Sequence, residues 1–240
     1  MSEPYDKIGE YIEGLYAPVS EELERLRRTG EEGHIPIILK DTETLIGVIL
    51  EMKKPKNVLE IGTAIGYSAS YISEILSRID AARGGAECGP VRDAGCRAEG
   101  SAQIGAEKSM VTTMEVDPLY YADAEKNLAE RNNVRLLLGD AVDLLRDSDE
   151  TYDLVFIDAA KSKYADFWEA VMPHVEAGAV IICDNVMMKG KTADPSVDTE
   201  GRFVTNIKYM RKFLEKITND ERVVTSVISA GDGMSISVVK

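Results

Sequence analysis

The sequence predicts a doubly wound α/β fold with a mostly parallel sheet, and three patterns support this prediction. Short runs of β-branched and leucine residues alternate with longer stretches whose apolar residues recur at helical spacing. A glycine-spaced turn follows the first of these runs, in the segment VLEIGTAIGYS at residues 58–68. The chain ends in two β-branched runs around Gly231-Asp232-Gly233, which predicts a hairpin and one antiparallel strand.

The first 40 residues predict an N-terminal helical extension packed outside this core. Apolar residues recur at helical spacing between residues 8 and 15, and a second, charged helix is expected at about 21–28. Asp41 is expected to cap a third helix, which Pro55 ends just before the first strand.

The rest of the chain predicts alternating strands and helices, interrupted once. The helix after the glycine turn is expected to end at about Ile79, because residues 80–109 are rich in Gly, Ala, Arg and Glu without an apolar period. This segment is interpreted as a flexible surface insertion. Asp117 and Pro118 predict the N-cap and first residue of the following helix. Strands are expected at 57–61, 110–116, 134–138, 153–157 and 179–183, and further helices from Tyr164 to Val171 and Phe203 to Ile217.

The composition indicates a single domain, residues 1–240, that stays in the cytoplasm. Acidic residues outnumber basic ones by 42 to 28, a net charge of −14, which disfavours general affinity for nucleic-acid backbones or anionic lipid. The first twenty residues are charged and contain no continuous apolar run, so neither a secretory signal nor a membrane anchor is expected. The three cysteines, Cys88, Cys96 and Cys183, suit a reducing compartment, although pairing or metal binding by Cys88 and Cys96 is left open.

The glycine turn points to a nucleotide-type cofactor. Gly62 and Gly66 let the backbone turn beside a ligand, and Tyr67 and Ser68 begin a helix whose free N–H groups face the same crevice. The spacing differs from G-x-G-x-x-G, so nicotinamide or flavin fits less well. A tight turn between a strand and a helix also needs small residues without any ligand. The acid Glu60, at the end of an apolar strand, favours a ligand-binding turn over a purely structural one.

Acidic residues follow five successive strands: Glu60, Glu115, Asp140, Asp158 and Asp184. Any one of them could be a helix cap, but the ends of parallel strands face a common crevice where ligands bind. Glu115 is expected to accept hydrogen bonds from ribose hydroxyls, and Asp140 with the Ala141 N–H is expected beside the base. Glu60 and Asp158 would then face a cationic part of the cofactor.

The motifs VLEIGTAIGYS, MEVDP, GDA, FIDAAKSKY and CDNV resemble those of the metal-dependent class I O-methyltransferases, the catechol and caffeoyl-coenzyme A O-methyltransferase family. The resemblance runs from about Ile35 to the C-terminus. It implies a Rossmann-like methyltransferase sheet, S-adenosylmethionine as cofactor and a homodimer. The cofactor-binding residues that it implies are Glu60, Gly62, Thr63, Gly66, Tyr67, Ser68, Glu115, Asp140, Ala141 and Asp158.

The same resemblance implies a divalent-metal site at Asp158, Asp184 and Asn185, and catalytic roles for Lys161 and Asp158. Two carboxylates and an amide oxygen are hard ligands that suit Mg²⁺, although an Asp-Asn pair after a strand is also a common turn. A free lysine is a weak base at neutral pH, but a nearby cation and partial burial favour its neutral form. Lys161 is therefore predicted to be the general base.

A chelated metal suits an acceptor with two adjacent oxygens, such as a catechol or 5-hydroxyuridine. The segments YIEGLYAP, HIPIILKDTETL and DNVMMKG resemble a bacterial branch that includes tRNA 5-hydroxyuridine methyltransferases, which makes wobble-position tRNA the first expectation and a small catechol the alternative. A cofactor-binding module without catalysis ranks below both. The net charge opposes tRNA. A basic rim or an ordinary solvated surface would account equally for Lys189, Lys191, Arg202, Lys208, Arg211 and Lys212.

Overall fold

The computed structural model describes residues 11–85 and 108–240 of the chain. The strands are β1 (Asn57–Ile61), β2 (Met110–Glu115), β3 (Val134–Leu138), β4 (Tyr152–Ile157), β5 (Val175–Cys183), β6 (Val223–Ile228) and β7 (Met234–Val239). The helices are α1 (Glu21–Glu32), α2 (Lys40–Lys53), α3 (Tyr67–Gly85), α4 (Pro118–Leu128), α5 (Ala141–Arg146), α6 (Tyr164–Val171) and α7 (Val204–Thr218). Short 3₁₀ turns lie at Lys161–Lys163, Met172–His174 and Pro195–Val197.

All seven strands form one sheet in the order β3-β2-β1-β4-β5-β7-β6. The pairs from β3 to β5 are parallel, and β7 runs antiparallel to both β5 and β6. The predicted doubly wound, mostly parallel sheet with one reversed strand from a C-terminal hairpin is therefore confirmed. The order reverses direction at β1, so the crevice between β1 and β4 is the expected place for a ligand.

Each face of the sheet is covered by its own hydrophobic core. On one face α1, α2 and α3 contribute residues such as Leu23, Leu50 and Leu76. On the other face α6 and α7 bring together Trp168 and Phe213, whose ring centroids lie 6.1 Å apart in an edge-to-face arrangement. The aromatic residues of α6 are thus core residues, as the sequence predicted.

Several element boundaries differ from the sequence prediction; strand β5, for example, begins at Val175 and not at residue 179. Helix α2 begins at Lys40 with Leu39 as its N-cap, so the prediction that Asp41 caps this helix is wrong. The Asp41 carboxylate instead accepts hydrogen bonds from the backbone N–H of Thr42 and, at 2.6 Å, of Gly231 in the C-terminal hairpin. Asp41 therefore bonds to Gly231, a residue far away in the chain that the sequence did not reveal as its partner.

Helix α3 is longer than predicted. It continues to Gly85, so the first residues of the expected insertion at 80–109 are helical. Asp80 accepts hydrogen bonds from the Ser109 N–H at 2.7 Å and from Lys56 at 3.1 Å. Residues 86–107, with Cys88 and Cys96, lie outside the described residues. Cys183 is a free, fully buried thiol whose pKa burial raises to about 12.

The described part of the N-terminal extension packs on α3. The Ser20 hydroxyl caps α1 by accepting from the Leu23 N–H and donates to Glu74 at 2.9 Å. Leu23 is buried beneath it. Across the described ranges, 11–85 and 108–240, none of the helices is long and apolar enough to span a membrane.

Candidate active site

A cavity of about 520 Å³ opens at the carboxyl ends of β1, β2 and β4. Eight of the predicted cofactor-binding residues line it: Gly62, Thr63, Tyr67, Ser68, Glu115, Asp140, Ala141 and Asp158. Lys161 and Asn185 line the same cavity, whereas Glu60, Gly66 and Asp184 lie behind its wall. The cavity therefore gathers most of the residues that the sequence singled out, while Glu60 and Asp184 are fully buried. The roles of these residues stay predictions.

The glycine turn is built around backbone contacts that a side chain would block. Gly62 has φ +101°, and a Cβ added there would lie 2.0 Å from the carbonyl oxygen of Asp158. Gly66 has φ +84°, and a Cβ there would press on Leu128 at 3.1 Å. Gly62 thus brings the glycine turn against the end of β4, and Gly66 allows α3 to pack closely on α4.

Glu115 fastens the glycine turn from the neighbouring strand. One carboxylate oxygen accepts hydrogen bonds from the N–H groups of Thr63 at 3.2 Å and Ala64 at 2.8 Å. The other oxygen accepts from Val116 at 3.0 Å and Asp117 at 2.9 Å. This role was not foreseen from the sequence. The predicted ribose contact stays a prediction, and a ribose hydroxyl would share or replace these backbone bonds.

Glu60 is fully buried behind the turn. Its carboxylate accepts a hydrogen bond of 2.5 Å from the Thr113 hydroxyl, which also pairs with the hydroxyl of Thr63. Burial raises the pKa of Glu60 to about 7, and the negative charges of Asp158 and Glu115 act in the same direction. A positive charge in the cavity would favour the ionised form of this buried acid.

Asp140 caps helix α5, its carboxylate accepting from the Val142 N–H at 2.9 Å. It also lines the cavity, as does the following residue, Ala141. The capping role and the predicted cofactor role are therefore compatible, because the cap fixes the carboxylate at the cavity wall.

The Lys161 ammonium lies at the centre of the predicted catalytic cluster. It donates to Asp158 Oδ1 at 2.9 Å and to Asn185 Oδ1 at 3.1 Å. It also lies 2.7 Å from the hydroxyl of Tyr164, which donates to the backbone carbonyl of Asp184 at 2.7 Å. Tyr164 is fully buried, and burial raises its pKa well above the ordinary value. The sequence placed Tyr164 only in the core, although its position three residues after Lys161 puts it one turn away.

Asp184 is completely buried next to this cluster. One carboxylate oxygen accepts from the Asn185 N–H at 2.7 Å, and the other has no hydrogen-bond partner among the described residues. Burial, and next the charge of Asp158, raise the pKa of Asp184 to about 7. A buried carboxylate oxygen without a donor suits a cation.

The residues predicted to hold a metal fit a hard divalent cation by their chemistry. Asp158, Asp184 and Asn185 offer only oxygen donors, and the Lys161 ammonium already contacts two of these side chains as a positive charge would. Within the described ranges, no group of three or more His, Cys, Asp or Glu side chains lies close enough to hold a metal. The predicted set contains two carboxylates and an amide.

The N-terminal extension forms one wall of the cavity, which the sequence did not predict. Residues 36–38 line the cavity, and helices α1 and α2 on either side of them are joined to Tyr67. Glu43, with a side chain 1% exposed, accepts from Arg27 at 2.5 Å and from Lys40 at 2.6 Å. The Tyr67 hydroxyl also donates to Glu43 and receives the Arg27 Nε–H at 3.0 Å.

The predicted basic rim is partly engaged in local contacts. Arg211 donates to the backbone carbonyls of residues 192 and 193 at 2.7 and 2.9 Å, which ties the loop after β5 to helix α7. Lys191 lies 5.2 Å from the centre of the Phe203 ring, and Arg202 pairs with Glu200 at 2.5 Å. These three side chains therefore contribute to the structure of the loop.

A family model described as O-methyltransferase matches residues 74–240, which is more than half of the chain. The chain belongs to the O-methyltransferase family. The predicted enzyme class is thereby confirmed. Catechol O-methyltransferase of Niastella koreensis is 23% identical over 98% of this chain and 98% of its own length. The probable caffeoyl-CoA O-methyltransferase 2 of Dictyostelium discoideum is 35% identical over 88 residues, so this match spans 37% of the chain and about one third (36%) of that protein.

Solved structures share the fold over nearly the whole chain. A Staphylococcus aureus protein assigned as a caffeoyl-CoA O-methyltransferase is 27% identical with a TM-score of 0.79, covering 97% of this chain and 99% of that one. The O-methyltransferase TomG of Streptomyces achromogenes, in complex with S-adenosylmethionine, has a TM-score of 0.74 at 21% identity, covering 100% of both chains. The predicted Rossmann-like methyltransferase fold is confirmed by these similarities.

Proposed function

We propose that this O-methyltransferase transfers the methyl group of S-adenosylmethionine to a hydroxyl that lies beside a second oxygen, with a divalent cation at Asp158, Asp184 and Asn185. The observation that carries this proposal is the Lys161 ammonium, held 2.9 Å from Asp158 and 3.1 Å from Asn185 at the wall of the cavity. A candidate base and three candidate oxygen ligands thus lie near the glycine turn, which supports the proposal.

The cavity chemistry supports S-adenosylmethionine as the methyl donor. The start of α3 offers backbone N–H groups, and Asp140 and Glu115 line the same cavity. The sulfonium of the cofactor is cationic, and three acids, Glu115, Asp140 and Asp158, line the cavity. The TomG structure holds this molecule in the same fold.

Lys161 is proposed to accept the proton of the acceptor hydroxyl. A divalent cation bound beside it would lower the pKa of that hydroxyl and orient the acceptor. Asp158 and Tyr164 would hold the amine in place, since both lie within 2.9 Å of it. Because the displacement is in line, much of the rate would come from aligning the oxygen with the methyl carbon and sulfur.

For the acceptor, we propose 5-hydroxyuridine in tRNA, on the resemblance of the N-terminal segment and the DNVMMKG loop to the tRNA-modifying branch. The second candidate is a small catechol. The net charge of −14 and the apolar wall formed by Ile37, Ile38 and Phe167 favour this smaller acceptor. The name of the Niastella relative also supports it.

The deciding experiment measures transfer of a labelled methyl group from S-adenosylmethionine to bulk tRNA containing 5-hydroxyuridine and to a panel of catechols. Each reaction is run with and without a chelator and then with Mg²⁺ restored. We expect labelling of tRNA that is lost with chelator and recovered with Mg²⁺. Labelling of catechols alone would reject the tRNA acceptor, and activity that is indifferent to chelator would reject the metal. Binding of the cofactor without transfer to any acceptor would favour a non-catalytic module.

We also propose that the enzyme is a homodimer, as the family resemblance implies. The outer surface of α2 carries apolar side chains that are exposed in the single chain, including Met52 at 80% and Val48 at 54%. Light scattering after size-exclusion chromatography tests this assembly, and the mass of a single chain at micromolar concentration would reject it.

A further inference from the structure

The tip of the C-terminal hairpin is bonded to the loop that carries Asn185. We call residues 184–190 the ligand loop and residues 229–233 the hairpin tip. The N–H groups of Val186 and Met187 donate to the carbonyls of Gly233 and Asp232, both at 2.9 Å. In addition, the Lys189 N–H donates to the side-chain carboxylate of Asp232.

The ligand loop needs this support because its backbone is strained. Asn185, Met188 and Lys189 have φ values of +55°, +51° and +55°, in the left-handed region that non-glycine residues rarely adopt. Three such residues in one short loop persist only when surrounding contacts over-determine their conformation. The hairpin tip provides hydrogen bonds on both sides of Met188.

The hairpin tip is itself fixed on its opposite side. The Gly231 N–H donates to Asp41 of α2 at 2.6 Å, and a Cβ added at Gly231 would lie 2.3 Å from the Thr42 hydroxyl. A Cβ added at Gly233 would lie 2.2 Å from the Met187 side chain. The tip therefore fills the space between α2 and the ligand loop, and glycines allow the close approach on both sides.

We propose that Asp232 is a positioning residue that holds the ligand loop, and through it Asn185 and Asp184, in the geometry that binds the cation and Lys161. This inference rests on the proposed function for the identity of the cation. The carboxylate of Asp232 is half-buried, and its role is to accept the Lys189 N–H. It acts through the loop backbone and does not need to touch the acceptor or the cofactor.

The test compares Asp232→Ala and Asp232→Asn in the full chain, with Asp194→Ala as the matched control. Asp194 accepts a backbone N–H, from Ser196 at 2.9 Å, in the chain segment that follows the ligand loop. Calorimetry measures the affinity for Mn²⁺ alone and, separately, for S-adenosylmethionine. Hydrogen exchange measures protection of the amides of residues 186, 187 and 189.

We expect Asp232→Ala to weaken Mn²⁺ binding about 10- to 100-fold and to increase exchange of the three amides. Affinity for S-adenosylmethionine should be unchanged. Asp232→Asn keeps an acceptor oxygen and should retain both properties, and Asp194→Ala should match the wild type. If thermal unfolding shows that Asp232→Ala does not fold, Asp232→Ser takes its place.

Two outcomes would overturn the role of Asp232. One is wild-type Mn²⁺ affinity and amide protection in folded Asp232→Ala. The other is an Asp232→Asn variant as impaired as the alanine variant, which would assign the effect to charge. If the wild type does not bind Mn²⁺, the metal site in the proposed function is rejected. The hydrogen-exchange measurement still decides whether Asp232 holds the ligand loop.

Discussion

Replacing Gly62 with alanine tests whether the glycine turn is as tightly packed on the end of β4 as the structure indicates. The added Cβ would lie 2.0 Å from the Asp158 carbonyl oxygen and 2.8 Å from its carbonyl carbon. Both atoms belong to the backbone, so no side-chain rotation relieves the overlap, and the turn must move away from the end of β4. The φ of +101° adds a conformational cost for any residue with a Cβ.

The expected magnitude follows from adding these two costs. A positive φ costs an alanine about 1 kcal/mol, and overpacking against a rigid neighbour costs about 1–3 kcal/mol more. Gly62→Ala should therefore lower the free energy of unfolding by about 2–4 kcal/mol. Gly178→Ala is the control, because Gly178 has φ +86° but the nearest atom to its added Cβ is Lys53 Nζ at 4.0 Å. It should cost only about 1 kcal/mol.

Urea denaturation measures the free energy of unfolding of both variants. The two values can be compared only if the m-values are equal. Calorimetry with S-adenosylmethionine then shows whether the displaced turn also weakens the cofactor, as we expect for Gly62→Ala alone. Equal destabilisation of the two variants would refute the close contact between the turn and β4.

Three further predictions concern charged residues. Lys161→Ala should lower kcat by about 10²- to 10⁴-fold while leaving affinity for S-adenosylmethionine nearly unchanged, and full transfer to a confirmed acceptor would exclude Lys161 as the base. Arg27→Ala removes a positive charge beside the buried Glu43 and should lower the free energy of unfolding, measured by urea denaturation, by about 2–3 kcal/mol. Arg28 is the control, because its side chain is 63% exposed, and Arg28→Ala should lower the same free energy by at most about 1 kcal/mol. Equal losses in the two variants would contradict the buried network. The hydrogen bond from Arg222 holds the pKa of Asp220 well below its usual range, so this pair stabilises the fold above about pH 4 and the benefit is lost as the pH falls below that value. Asp220→Asn should therefore be about 1–2 kcal/mol less stable than the wild type at pH 7, and the gap should narrow as the pH falls below about 4; a gap independent of pH would disprove the assignment.

The doubly wound, mostly parallel sheet with its C-terminal hairpin could be predicted because local sequence patterns mark its elements. The apolar runs and glycines that predict β1 and its turn are contiguous in sequence, and Asp117-Pro118 is a self-contained helix start that the structure confirms. The parallel arrangement then brings Asp158 and Asn185 to one edge without further information. Lys161 was identified as a candidate base by the resemblance of FIDAAKSKY to the family motif, and its catalytic role stays a prediction.

The contacts that were missed join residues far apart in the chain. Asp41 looked like a helix cap, but its partner Gly231 lies 190 positions away. Glu43 gave no signal, because an acid in the first turn of a helix is usually solvated and nothing local marks Arg27 and Tyr67 as its partners. Periodicity reports which face of a helix is buried, and it does not report which polar group will be buried with it.

The length of α3 separates the glycine turn from the end of this helix at Gly85. A helix of 19 residues at 1.5 Å per residue extends about 28 Å, so the end of α3 at Gly85 lies far from the glycine turn. Asp80 and Ser109 hold the two flanks of this segment together at 2.7 Å. Replacement of residues 86–107 by a short linker, an affinity tag or a fluorescent label should therefore leave the cavity unchanged.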